Sequence, residues 1–292
     1  GGISIIIAIT LIFVYLLLVV MPIFESASVE QTSSYTLPSD TLPHTLHMAM
    51  EEQNEVGFRA DASGELLFYN TRNGEVVLRE QPALNGAEVT VIADADPGRA
   101  TIMLGLSDGR VLPAQHRYKV TFPDDQRLIT PELHYPMGKE PIVVANSGAA
   151  LKNLAFQIGD DGLTIITASA EHKLYFVHFE REETLMGDVS FSRDVELELP
   201  YPSAPVTHLL IDKDQRELYI ASEGGYLTFY DIQDKDEPKL LQHTAVTSAG
   251  AEITALRSLT GGISVLIGTS KGELAQWSII RDETNRMGSE SC

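Results

Sequence analysis

The hydrophobic pattern divides the chain into two regimes. Ile3 to Met21 is nineteen residues without a charge, closed by Pro22, and the rest of the chain alternates short apolar runs with polar turns. A helix over the first run is about 28 Å long, close to the roughly 30 Å hydrocarbon thickness of a bilayer. Residues 1–24 are therefore read as a transmembrane helix. After Met21 no stretch carries a convincing helical period, although Thr45 to Glu55 admits a helical reading, so the remainder is expected to be nearly all β.

That remainder repeats itself. Five segments pair an apolar strand, a two-residue turn and a second strand: Val56 to Leu66, Ile102 to Val111, Ile165 to Leu174, Leu218 to Leu227 and Val265 to Leu274. The turns are Ser63-Gly64, Asp108-Gly109, Gly224-Gly225 and Lys271-Gly272, with Glu171-His172 as the exception. Glycine suits a tight hairpin because it accepts a positive φ. Tyr69, Tyr230 and Trp277 come three positions after their anchors, and Val177 takes that place in the third copy. The anchors 66, 111, 174, 227 and 274 are spaced by 45, 63, 53 and 47 residues. Such intervals straddle the roughly 40 to 50 residues of a propeller blade.

A further apolar strand precedes four of the hairpins, at Val89–Ile92, Leu151–Phe156, Val206–Ile211 and Ile253–Leu256. Another comes after the hairpin, as at Glu75–Leu78 and Tyr118–Phe122. The long interval is assigned to an insertion at Thr130 to Glu140, where Pro131 and Pro136 suit a surface loop. Four strands per unit predict an all-β, β-propeller-like (WD40-like) domain of about five blades over residues 46–283. An extended linker over 25–45 contains Leu37-Pro38 and Leu42-Pro43, and residues 284–292 form a tail.

Charge then narrows the partners. The 292 residues carry net charge −20, which argues against nucleic acid or anionic lipid as a partner of the β region, and against long-range capture of a small anion. The single cysteine, Cys292, excludes an intrachain disulfide. No Lys or Arg precedes Arg59, whereas Glu25, Glu30, Asp40, Glu51, Glu52 and Glu55 all come after the apolar run. The positive-inside rule places such a flank on the outer side, so a periplasmic β domain on a bacterial inner membrane is expected. Ser26-Ala27-Ser28 offers the alternative of a cleaved signal peptide, but the apolar run exceeds the roughly 7 to 15 residues of a signal core. The opening Gly1-Gly2 leads to the expectation that the natural N-terminus is missing.

Candidate chemistry is sparse. Gly105-Leu106-Ser107-Asp108-Gly109 fits the nucleophile-elbow pattern, but an elbow needs a strand-to-helix turn and these positions are a hairpin in the other copies. His44 and His47 lack partners at metal-site spacing and fall in the tether. His172 and His178 fall on one face of a strand, and Asp231, Asp234, Asp236 and Glu237 lack calcium-loop order. Thr269 to Gly272 lacks the glycine spacing of a P-loop. No catalytic, cofactor-binding or metal residue is assigned, and an interaction or structural role is expected. An enzymatic reading would need histidines, arginines and carboxylates clustered on the strands facing a central channel.

Ala8 to Phe24, Met50 to Val56 and Gly272 to Glu283 together resemble the N-terminal part of phosphate ABC-transporter permeases. The resemblance is to the long PstC type of proteobacteria, with a WD40-like propeller inserted after the first transmembrane helix. It implies three partners: another permease subunit, an ATPase subunit and a periplasmic phosphate-binding protein. It also implies more propeller and a multi-helix core after Glu283; no second apolar run is present in these 292 residues, so no transport or binding residue is carried over, and as a fragment the chain would hold the first helix and most of the outer domain of a permease subunit. Only Ser4, Thr10 and Tyr15 interrupt the apolar helix, which places it against lipid rather than on a substrate path. The alternative is a free-standing, membrane-anchored periplasmic propeller that scaffolds envelope protein assembly.

Overall fold

The computed structural model describes residues 2–24, 26, 28–31, 33–37, 44–184, 187, 189–259, 264–280 and 286–290. Gly1, Glu25, Ala27, Pro38, Asp40, Leu42, Pro43, Arg281, Asp282, Glu283 and Cys292, each part of a sequence motif or boundary, lie outside them. The chain divides into two compact units, residues 1–36 and 37–292.

In the first unit, helix α1 spans Gly2–Val20 and ends in a 3-10 turn, Met21–Phe24, at the proline. Within Gly2–Phe24 the most apolar 18-residue stretch has mean hydropathy 3.1 and none of its residues is buried, and its sequence is apolar on every side. That is the composition of a helix made for lipid or of a signal sequence, not of a surface helix with one apolar stripe. Its threonine is neutralised locally: Thr10 Oγ1 donates to the Ile6 carbonyl at 2.9 Å.

The second unit contains five antiparallel sheets, each a meander whose strands pair in sequence order. Sheet one contains β1 (Thr45–Met50), β2 (Val56–Asp61), β3 (Leu66–Asn70) and β4 (Val76–Glu80). Sheet two contains β5 (Val89–Asp94), β6 (Thr101–Leu106), β7 (Arg110–Thr121) and β8 (Leu128–His134), with short β9 (Ile142–Val143) beside the start of β7. Sheet three is β10 (Leu151–Gly159), β11 (Gly162–Ser169), β12 (Leu174–Glu183) and β13 (Val189–Leu199). Sheet four is β14 (Val206–Ile211), β15 (Glu217–Ser222), β16 (Tyr226–Asp231) and β17 (Lys239–Ala245). Sheet five is β18 (Ile253–Ser258), β19 (Ser264–Thr269), β20 (Leu274–Ile280) and β21 (Arg286–Glu290).

The second strands explain the apolar runs in the sequence. Every residue of β2, β6 and β11 is buried, because both faces of these strands are covered. Neighbouring residues serve different cores. Ile102 and Leu104 face sheet one while Met103 faces sheet three; Ile165 faces sheet two while Ile166 faces sheet four. Leu218 and Ile220 face sheet three while Tyr219 faces sheet five. Fourth strands are edges: β4 alternates half-buried with exposed positions, and β17 has no buried residue. Among the described residues, four apolar clusters join the five sheets in series and none joins sheet five to sheet one.

The hairpins anticipated from glycine form as expected, with Gly64, Gly109, Gly224 and Gly272 all at positive φ and His172 filling that role at φ 57°. Gly225 has a stricter reason: at φ 75°, a Cβ there would run into the Thr247 side chain.

Residues 45–50 form a strand that pairs along β2, in keeping with the expected all-β character rather than with the helical reading that Thr45 to Glu55 admitted. Three expectations are corrected. Tyr118–Thr121 is not a fourth strand but the far end of β7, and β8 takes the fourth position. Pro131 is accordingly a buried member of β8 opposite Tyr118, not part of a loop; an outer strand tolerates proline because its missing N–H can face away from the ladder. Residues 286–290, taken as tail, pair with β20.

Truncating a side chain between sheets tests this arrangement. Phe156, 1 % exposed in the core shared by sheets two and three, should cost about 3–5 kcal/mol as Phe156→Ala, read from the urea midpoint by circular dichroism. Val77→Ala, on an exposed position of β4, should shift stability by less than about 0.5 kcal/mol.

Candidate functional site

The first strands of the sheets share one backbone device. Each carries a register shift at its start: Thr45/His47, Val89/Val91, Leu151/Asn153, Val206/His208 and Ile253/Ala255. A bulge adds twist and turns one residue out of the ladder. In sheet two that residue, Thr90, donates to the Leu151 carbonyl of sheet three at 2.6 Å. Asn153 Nδ2 donates to the Thr207 carbonyl of sheet four at 2.9 Å, and His208 is hydrogen-bonded to the backbone of Thr254 in sheet five. Gln157 ties three sheets, its Oε1 accepting from Asp96 N at 3.0 Å and its Nε2 donating to the Ile211 carbonyl at 3.2 Å.

These strands bring polar groups to the middle of the unit. Asp94, Gln157, Lys213 and Arg257 line a cavity of about 490 Å³, and His208 and Asn153 line a smaller one beside it. Arg257 stands 3.9 Å from Asp94, both exposed, so the pair is loose and contributes little. Burial holds His47 and His208 below the ordinary imidazole range, with Arg257 pushing the same way on both. Histidine, arginine and carboxylate thus do converge on the first strands. Among the described residues, though, His208 contacts Thr207 Oγ1 at 3.2 Å and a backbone group rather than an orienting carboxylate. A neutral imidazole without that carboxylate can exchange hydrogen bonds with a polar ligand, but it is not an assembled nucleophile and base.

The structure gives each candidate motif a local role. Ser107 sits in the β6–β7 hairpin, where its Oγ accepts from Glu88 N at 3.1 Å. His47 is not tether but part of β1, its ring 6.3 Å from that of Phe58. His172 and His178 do not share a strand: His172 occupies the turn before β12, while His178 is buried in it. His178 Nδ1 lies 2.9 Å from Thr164 Oγ1, which donates to Gln215 Oε1, a polar network closed inside the protein. Asp231 and Asp234 accept from backbone N–H groups two residues on, as turn formers do. Lys271 donates to the Ala249 carbonyl at 2.6 Å. Among the described residues no group of His, Cys, Asp or Glu has metal-site geometry.

No family model and no curated protein matches the chain. Solved structures do. The β-propeller domain of Myceliophteria thermophila Cps50 (Swd1) is similar over 86 % of this chain and 72 % of its own length, at TM-score 0.50 and 11 % identity. The Dos1 propeller is similar over 80 % of this chain and 56 % of its own length, at TM-score 0.48 and 13 % identity. Such identities speak to the fold alone. The β unit has a β-propeller fold, its sheets are blades, and its first strands are the inner ones.

What sequence reasoning missed is the polar wiring of those inner strands. One signal was available: Gln157 interrupts an apolar strand, and a buried amide demands partners.

Acid stability provides a test. Burial pushes His116, stacked on Phe58 at 4.9 Å, down to about 4. The unfolded chain takes up this proton near pH 6.5 and the folded chain refuses it. Stability is therefore complete above about pH 6.5 and falls on acidification towards pH 4, by at most about 1.4 kcal/mol per pH unit for one group. Melting temperature should drop between pH 7 and pH 5, and His116→Phe should flatten that slope.

Proposed function

We propose that this chain is the membrane-anchored, outward-facing propeller region of a phosphate ABC-importer permease subunit, in which the propeller serves as a docking or regulatory surface. A propeller fold is itself a scaffold that presents loops and strand edges from a rigid body, so an interaction role is in keeping with the architecture. The observation that carries the anchored reading is the uncharged helix Gly2–Phe24 with no basic residue after it until Arg59. This distribution favours an outer location for the blades. The resemblance of residues 8–24, 50–56 and 272–283 to long phosphate permeases supplies the transporter assignment, with the second permease subunit, the ATPase and the periplasmic phosphate-binding protein as its partners.

Deleting residues 46–283 from the intact gene tests the role. Phosphate uptake should persist with a weakened apparent affinity for the binding protein. Uptake and affinity both unchanged would remove the docking role, and a gene with no permease helices would remove the transporter assignment.

A further inference from the structure

Blades two and three differ from the rest in their outer hairpins. The second half of β7 has left β6 and pairs only with β8, from His116 opposite Leu133 to Thr121 opposite Leu128. Likewise Glu180–Glu183 of β12 pair only with Val189–Ser192 of β13. The two projecting hairpins flank a cleft of about 580 Å³, within the range of roughly 300–1,000 Å³ typical of small-molecule sites.

Its walls invert the charge of the molecule. In a chain of net charge −20, Arg99, Arg117 and Arg181 line one cleft, and among its described lining residues Asp160 is the one carboxylate. Arg181 is partly neutralised by Glu183 at 2.7 Å. Arg99 and Arg117 make no ion pair among the described residues. They are nonetheless held in place. Gln115 Nε2 donates to the Arg99 carbonyl at 2.8 Å, and its Oε1 accepts from Arg117 Nε at 2.7 Å. The Arg99 guanidinium lies over Gly159 at the end of β10, where an added Cβ would meet it at ordinary contact distance, 3.4 Å. Burial and then the Arg117 charge push His134, also in the wall, below the ordinary imidazole range.

Uncompensated guanidinium groups facing one cleft repel each other unless an anion sits between them, and their planar fork suits carboxylate and phosphoryl oxygens. Ile158 and Phe191 add an apolar wall for a carbon skeleton. We propose that this cleft binds a small organic molecule carrying two or more phosphoryl or carboxylate groups, with Arg99 and Arg117 as its principal donors. The far field of the acidic surface does not preclude this, because salt screens charges beyond roughly 8–10 Å and leaves the nearest ones to decide. The site is independent of the transporter assignment.

Titration calorimetry on the detergent-solubilised chain tests it, with citrate and fructose 1,6-bisphosphate as separate probes for the two anion chemistries. One or both should bind, more weakly as salt is raised. The Arg99→Ala/Arg117→Ala pair, both exposed side chains, should weaken binding at least tenfold while leaving the circular dichroism spectrum and melting temperature unchanged. Lys239→Ala, an exposed cation on β17, should change it less than twofold. Failure of both probes to bind the unsubstituted chain, or equal binding by the double variant, would overturn the site.

Discussion

Every blade carries apolar side chains on both faces, so each must be covered on both sides. That requirement explains the second strands, whose adjacent residues Ile165 and Ile166 enter different cores. It explains why the blades stack in series and why outer strands such as β4 and β17 are the more exposed. The faces between blades hold Phe58, Phe156, Phe176 and Phe229 at 2 % exposure or less, and the other face of blade one is covered as well, with Leu67 and Tyr69 buried.

Apolar stacking does not fix the angle between blades, and the inner strands do that with polar groups. The bulge of blade two frees Thr90 to reach Leu151 of blade three, and Asn153, paired just after the bulge of blade three, reaches Thr207 of blade four. Each such bond is worth about 1 kcal/mol net, but leaving a buried partner unpaired costs more. Specific spacing is therefore built into the middle of the unit, while the outer hairpins of blades two and three are left to vary in length and form the arginine-lined cleft.

The sequence makes the hairpins legible because they are local. A glycine at positive φ and two flanking apolar strands lie within ten residues, and their recurrence implies the four-stranded sheets. Blade two misleads because Tyr118–Phe122 is apolar enough to stand as a strand, whereas its pairing with β8 depends on a partner across the hairpin. The inner-strand bonds and the cleft are invisible for the same reason. Arg99, Arg117 and Arg181 lie on three separate elements in two blades, and only packing brings them together. The N-terminal apolar helix stands out from composition alone, since nineteen uncharged residues need no partner to be recognised.

In the proposed topology α1 holds the propeller outside the membrane. Labelling of intact spheroplasts with a membrane-impermeant maleimide tests this, using Cys292→Ser combined with Lys239→Cys at an exposed position of β17. Full labelling is expected before lysis, with the labelled chain retained in carbonate-washed membranes. Labelling only after lysis, or release of the chain from the membrane, would contradict it.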